Sequence, residues 1–151
     1  MVLAEAFPDL DRRDIRILAT DISSQVLEKA RAGIYSEPGL DGVPDALRRR
    51  YFQRMKDPRT GLPHYQILPE LRALIAVARL NLMERWPMAG PFDFILCRNV
   101  MIYFDKGTRT RLLQRFTELL TPGGHLMVGH SESLNSMRHQ LKYIQPAVYR
   151  K

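Results

Sequence analysis

The chemistry-bearing side chains of this sequence stand at the ends of apolar runs that are typical of buried β-strands. The residues that end or directly follow these runs are Asp21, Asn81, Arg98, Asn99 and the triplet His130-Ser131-Glu132. A carboxylate can accept hydrogen bonds from two neighbouring hydroxyls, and guanidinium and amide groups can orient a polar ligand. Because ligands of open parallel sheets bind beyond the carboxyl ends of the strands, these residue types predict a crevice for a nucleotide-like ligand.

Each of these residues also has a purely structural interpretation. An aspartate at a strand end, such as Asp21, caps a following helix as readily as it binds a ribose, and the sequence leaves the two roles equally open. Cys97 is expected to be a small core residue, since no histidine is near it in sequence. His130 is expected to be a hydrogen-bonded structural histidine. The single cysteine excludes an internal disulfide and a thiolate-rich metal site.

The first half of the chain predicts one βα unit followed by helix and turn. Residues 15–22 predict a strand, and a helix is expected between an N-cap at Ser23 and a C-cap at Gly33. A second helix is expected after Pro44-Asp45, running through Tyr51 and Phe52. From Lys56 to Pro69, proline, glycine and aspartate indicate turns and a small β-hairpin.

The second half alternates strands and one long helix. Strands are predicted at 73–80, where an alanine-rich helix is the alternative, and at 92–97 and 126–128. The long helix should begin at Thr108 and stop at Thr121-Pro122-Gly123-Gly124. The tail 143–149 predicts an edge strand or the return half of a hairpin. This order predicts an α/β protein with a mostly parallel sheet covered on both faces.

Size and composition favour one domain in the cytoplasm. The chain has 151 residues, of which 45% are hydrophobic and 26% charged, as in an ordinary globular domain. Its apolar runs are shorter than a membrane-spanning helix needs, and residues 1–6 do not have the pattern of a signal peptide. No membrane insertion is expected.

The net charge of +7 is concentrated in arginine clusters at 12–13, 48–50 and 109–115. Such clusters suit nucleic acid or an acidic protein surface, but a solvated face is their commonest meaning. We therefore do not expect nucleic acid as a partner.

Several strings, taken together and in order, closely resemble the catalytic domain of CheR-type chemotaxis-receptor methyltransferases. The strings are ATDI at 19–22, LEKARAGIY at 27–35, Asn81-Leu82, FDFILCRNVMIYF at 92–104, Pro122-Gly123-Gly124 and GHSE at 129–132. The CRNVMIYF stretch and GHSE are the more specific, whereas many methyltransferases share the PGG string. The resemblance covers nearly the whole chain.

The resemblance implies an enzyme, a protein-glutamate O-methyltransferase that uses S-adenosylmethionine and releases S-adenosylhomocysteine. Its partner would be the cytoplasmic domain of a methyl-accepting chemoreceptor, on whose helices glutamates are methylated in chemotaxis adaptation. By the same resemblance, Asp21 would hold the cofactor ribose and Asn81 and Leu82 would line its adenine side. Arg98 and Asn99 would flank the cofactor and the transfer site, and Tyr103 would lie near the reacting methyl. No metal is implied.

The fold implied by the resemblance is a Rossmann-like methyltransferase sheet, with residues 1–151 as a partial catalytic domain and a small inserted β-subdomain at about 56–72. That subdomain docks on a receptor's tail peptide in some members. The glycine-rich turn expected about 20 residues before the ribose acid is not found, since Gly33 is the first glycine. We therefore expect the family's N-terminal region, first strand and glycine loop to be missing, with residues 2–6 as a remnant of the following helix.

Two other functions stay open at this point. One is a non-catalytic interaction module that resembles the family but has lost cofactor binding. The other is a small basic RNA-binding protein, which only the charge favours, because the sequence has no motif of interleaved aromatic and basic residues.

Overall fold

The protein is described by a computed structural model that covers residues 1–134 and 137–151. The chain forms two compact units, Met1–Glu84 and Arg85–Lys151, and each is described by itself. The elements of the first unit are α1 (Val2–Ala6), β1 (Ile17–Asp21), α2 (Ser24–Ala32), β2 (Ile34–Ser36), α3 (Asp45–Tyr51), β3 (Phe52–Lys56), β4 (Pro63–Ile67), α4 (Pro69–Arg72) and β5 (Ile75–Arg79).

The predicted βα unit is confirmed. Strand β1 pairs in parallel with β5, with Asp21 opposite Arg79. Helix α2 begins after Ser23, whose side chain accepts the N–H of Val26, and ends at Gly33 in the left-handed conformation, with φ of 61°. A Cβ at Gly33 would lie 2.7 Å from the Ile67 side chain, so glycine is required there for space as well as for backbone conformation.

The second sheet of the first unit is antiparallel and has the strand order β2-β4-β3. It packs on a small core formed by the buried side chains of Leu40, Tyr51, Phe52 and Leu71. The prediction that Phe52 continues the helix is wrong: its backbone is extended and it begins β3, opposite Ile67. The hairpin therefore starts earlier than the turn residues alone indicate. That this sheet is an inserted subdomain stays a prediction.

The second unit contains the longest helix and a four-stranded sheet in the order β6-β7-β9-β8. Its elements are β6 (Phe92–Cys97), a 3₁₀ turn (Met101–Tyr103), α5 (Lys106–Leu119), β7 (Leu120–Val128), β8 (Lys142–Gln145) and β9 (Val148–Arg150). Strands β6 and β7 are parallel, whereas β9 pairs antiparallel with both β7 and β8. A mostly parallel arrangement is thus wrong for the described strands, because the tail turns back on itself at Pro146-Ala147.

One of the two predicted boundaries of the long helix differs from the structure. Helix α5 begins at Lys106, two residues earlier than predicted, after Asp105, whose carboxylate accepts the N–H of Thr108 at 3.0 Å. The predicted stop is confirmed: α5 ends at Leu119, and the segment from Thr121 to Gly124 interrupts the pairing of β7 with β6, because Phe92 lies opposite Leu120 and Phe94 opposite His125. Gly123 has a φ of 82°, and the segment is held by the chain terminus: Gly123 donates to the carbonyl of Lys151, and Lys151 donates to that of Gly124.

Strands β1 and β6 each have one hydrogen-bonded neighbour among the described residues. On β6, Phe94 and Leu96 point to the same face and are 55% and 68% exposed. In the part of the chain that the structure describes, no helix has the length and apolar character needed to span a membrane.

Candidate active site

In the first unit, Asp21 ends strand β1 and is half-buried. Its Oδ1 accepts the backbone N–H of Ser23 at 2.8 Å, which orients the carboxylate at the start of α2. Among the described residues no hydrogen bond reaches Oδ2. Asp21 therefore has the helix-capping role that the sequence left open, and this role uses only one of its two carboxylate oxygens.

Asn81 lies just beyond strand β5, at the same edge of the two-stranded sheet as Asp21. The N–H of Leu80 donates to the carbonyl of Asp21 at 3.0 Å, which joins the two strand ends. The Asn81 side chain forms a turn: its Oδ1 accepts from Met83 N–H and its Nδ2 donates to Glu84. The first unit thus brings Asp21 and Asn81 to one edge, with Leu82 half-buried beside them.

In the second unit, the ends of β6 and β7 also lie side by side, because Cys97 pairs with Val128. Arg98 and Asn99 follow the first of these strands, and the segment 129–132 follows the second. Arg98 is exposed, and no ion pair or hydrogen bond of its guanidinium is found within the described residues. Its charge is available to a ligand.

The backbone between β6 and the 3₁₀ turn is held by the carboxylate of Glu132, which is only 5% exposed. This carboxylate accepts backbone N–H groups from Asn99, Val100, Met101, Ile102 and Gly129, at 2.6–3.2 Å. Burial raises the pKa of Glu132, but these N–H donors lower it by more, so its pKa lies below the ordinary value. Glu132 is therefore ionised at neutral pH.

Tyr103 ends the 3₁₀ turn and is 81% exposed. A dry, apolar wall beside this ring is expected, but the described residues do not enclose the ring. Its proximity to a reacting methyl stays a prediction.

Two expectations about other polar side chains can be decided. Cys97 is buried, and burial followed by the charge of Glu132 raises the pKa of its thiol to about 12, which confirms it as a core residue. The prediction of a hydrogen-bonded structural His130 is wrong. This side chain is exposed, and no bond of its ring is found in the described part of the chain.

The arginine clusters are largely engaged within the fold. Arg109 donates to the carbonyls of Phe104 and Ile102, Arg111 donates to Thr108, and Arg115 stacks over Trp86. In the first unit, Arg48 and Arg50 pair with glutamates. The solvated and structural interpretations of this charge therefore account for it better than a nucleic-acid surface does.

Glu132 and Arg109 are the residues of this site to which sequence reasoning assigned no role. The signal for Glu132 was present, because GHSE was among the more specific strings. No local pattern, however, shows that a carboxylate will bind backbone groups some 30 residues earlier in the chain.

The α/β units and the polar residues that follow their parallel strands define a Rossmann-like methyltransferase fold. The family description "CheR methyltransferase, SAM binding domain" matches residues 1–149, and the chain belongs to this family.

Curated relatives support the assignment. The chain is 40% identical over 151 residues to a probable chemotaxis protein methyltransferase of Rhizobium etli, covering 99% of this chain and 56% of that protein. It is 41% identical over 150 residues to chemotaxis protein methyltransferase 2 of Pseudomonas aeruginosa, covering 99% and 52%. With the chemotaxis protein methyltransferase of Klebsiella aerogenes the identity is 44% over 135 residues, covering 89% and 46%. The chain spans about half the length of these relatives.

Proposed function

We propose that this chain carries the cofactor and transfer site of a methyltransferase that moves a methyl group from S-adenosylmethionine to glutamate side chains on the cytoplasmic helices of a chemoreceptor. The observation that carries the proposal is the carboxylate of Asp21. It stands at the carboxyl end of a parallel strand, with Oδ1 fixed by the N–H of Ser23. Such a carboxylate is suited to the paired hydroxyls of a ribose.

The side chains present fit the cofactor. Asp21 would accept from the ribose, and Leu82 and Asn81 at the neighbouring strand end would line the adenine. Arg98 and Asn99 would flank the cofactor and the acceptor, with Tyr103 close to the reacting centre. The exposed bond between Asn81 and Glu84 can be exchanged for one to a ligand at little cost.

The chemistry needs little from the protein beyond placement. S-adenosylmethionine supplies, when bound, a methyl group on a positively charged sulfur that an oxygen nucleophile can displace. A glutamate carboxylate is already such a nucleophile, so the site needs no general base and has to align the reacting atoms. Cys97 does not compete as a nucleophile, because its raised pKa keeps it a thiol.

In this proposal Arg98 orients a ligand and does not neutralise the acceptor carboxylate. A guanidinium that gripped the acceptor carboxylate face-on would stabilise its charge and weaken its attack. We therefore assign Arg98 a lateral role, in which it positions cofactor or acceptor from the side.

The partner in this proposal is a chemoreceptor, and it is supported by relatives that are named chemotaxis protein methyltransferases. The reaction would then take place in the cytoplasm. The antiparallel sheet β2-β4-β3 is proposed as the inserted β-subdomain.

The proposal is tested by titrating the purified 151-residue chain with S-adenosylhomocysteine and S-adenosylmethionine in a calorimeter. We expect saturable binding of one ligand per chain. If millimolar ligand gives no heat and no protection against thermal unfolding, the proposal fails, and the alternative of a non-catalytic interaction module is favoured.

A further inference from the structure

The carboxylate of Glu132 is bound in an anion site formed by five backbone N–H groups. Its Oε1 accepts from Val100, Met101 and Ile102 at 2.9, 2.7 and 3.2 Å. Its Oε2 accepts from Asn99 at 2.7 Å and from Gly129 at 2.6 Å. A carboxylate has about four lone-pair positions, so these donors saturate it and leave it no capacity for a substrate.

The carbonyl groups of the same segment are held from another element. Arg109, on helix α5, donates through Nε to the carbonyl of Phe104 at 2.7 Å and through a terminal nitrogen to that of Ile102 at 3.3 Å. The backbone of residues 98–104 is thus bound by an anion on its N–H side and by a cation on its C=O side. Glu132 and Arg109 reach only its main chain, so the exposed side chains of Arg98, Asn99 and Tyr103 remain available.

One residue of this segment has an uncommon backbone conformation. Asn99 has a φ of 58°, in the left-handed region that residues with a Cβ seldom enter, although asparagine enters it more readily than most. At the facing position, a Cβ on Gly129 would lie 2.6 Å from both Asn99 Oδ1 and Glu132 Oε2. Strain of this kind persists only where surrounding contacts impose it, and the bond from Asn99 N–H to Glu132 is such a contact.

We propose that Glu132 is a positioning residue: its ionised carboxylate holds the 98–104 backbone so that Arg98 and Asn99 are presented to the cofactor and its acceptor. This rests on the function proposed above. Glu132 itself touches neither ligand in this proposal, and its effect passes through the segment it binds.

The test compares the unmodified chain with Glu132→Gln, Glu132→Asp and the matched control Glu118→Gln, whose side chain is exposed on α5. An amide in place of the carboxylate turns a donor toward the N–H groups, whereas aspartate keeps the charge on a shorter arm. The first readout is the amide resonances of Asn99, Val100, Met101 and Ile102. The second is calorimetric affinity for S-adenosylhomocysteine.

We expect Glu132→Gln to move these four amide resonances more than any others and to weaken ligand binding by about tenfold or more. Glu132→Asp should recover part of both effects, and Glu118→Gln should change neither. The aspartate variant also keeps the comparison decisive if the glutamine variant fails to fold.

Two outcomes would overturn the proposal. If Glu132→Gln shifts the four amides but leaves the affinity unchanged, Glu132 is structural only. If the four amides do not move, Glu132 does not hold the segment. An unmodified chain that binds no ligand would instead refute the proposed function, and the amide spectra would still decide whether Glu132 holds the 98–104 backbone.

Discussion

The carboxylate of Glu132 accepts the backbone N–H of Met101 at 2.7 Å, although the two residues are 31 positions apart in the chain. This contact joins the segment after β7 to the segment after β6, at the ends of two paired parallel strands. The loops that follow these strands are therefore coupled, and a substitution in one loop should alter the conformation of the other.

Replacing Gly129 with alanine should destabilise the chain. The new Cβ would meet Asn99 Oδ1 and Glu132 Oε2 at 2.6 Å, and Glu132 is held by its own hydrogen bonds. Overpacking of this kind costs about 1–3 kcal/mol of unfolding free energy, measurable as a lower urea midpoint. Gly39→Ala is the control, because its nearest neighbour would lie at 3.5 Å. Equal midpoints for the two variants would contradict the prediction.

Acid should remove the stabilisation that Glu132 provides. Because the pKa of Glu132 is lower in the folded chain than in the unfolded one, the unfolded state takes up the proton first as the pH falls. The contribution is complete above the ordinary glutamate pKa of about 4.3 and disappears as the pH falls through the lowered folded value. The Cys97 thiol, which faces Glu132, stays neutral throughout this range.

Urea midpoints measured from neutral pH downward check this behaviour. The unmodified chain should lose more stability below the ordinary glutamate pKa than Glu132→Gln does. Parallel curves for the two proteins would show that Glu132 does not contribute to the acid dependence.

Cys97 should be inert in the folded chain. A thiol with a pKa of about 12 is ionised to roughly one part in ten thousand at pH 8, and the side chain is also buried. Iodoacetamide should therefore leave the native protein unlabelled and modify it once urea unfolds it, as followed by intact mass. Rapid labelling without denaturant would refute both the burial and the raised pKa.

Asp21→Asn should weaken binding of S-adenosylhomocysteine. The substitution keeps one oxygen for Ser23 but removes the charge that would favour two ribose hydroxyls, a loss worth about ten- to a hundredfold in affinity. The exposed Asp14, which pairs with Arg16 in the same unit, supplies the control variant Asp14→Asn. Calorimetry should show the loss for Asp21→Asn alone, and equal affinities would remove Asp21 from the proposed cofactor site.

Arg98→Lys should lower turnover more than cofactor affinity. Lysine keeps the charge but loses the planar, multi-donor geometry needed to orient a group from the side. We expect turnover on a receptor fragment to fall by about tenfold while S-adenosylhomocysteine binds nearly as before. The exposed Arg85 gives the control Arg85→Lys. Equal losses in both measurements would contradict a lateral orienting role.

Features that depend on local contacts could be predicted from the sequence. Helix α2 could be predicted because its caps, Ser23 and Gly33, are local signals that lie at the helix ends. The position of the strand at 92–97 could also be predicted, since an apolar run bounded by polar residues needs no distant partner to be recognised. The prediction that this strand is buried, in a sheet covered on both faces, is wrong for the described residues, because Phe94 and Leu96 are exposed.

Features that depend on distant contacts could not. The string from Thr121 to Gly124 interrupts the strand pairing, as its turn residues predict, but no local pattern shows that it bonds to Lys151. Phe52 fits the apolar pattern of a helix but pairs with Ile67. Similarly, the role of Glu132 depends on N–H groups that fold beside it from 30–33 residues earlier.

The outer edge of β6 also bears on how the isolated chain should behave in solution. Within residues 1–134 and 137–151, one edge of β6 is unpaired. Such an edge, with Phe94 and Leu96 exposed, is a template onto which further strands can add, and Asp93 is the only charged residue on this strand. Dilute samples and a charge introduced at Leu96 should therefore suppress aggregation.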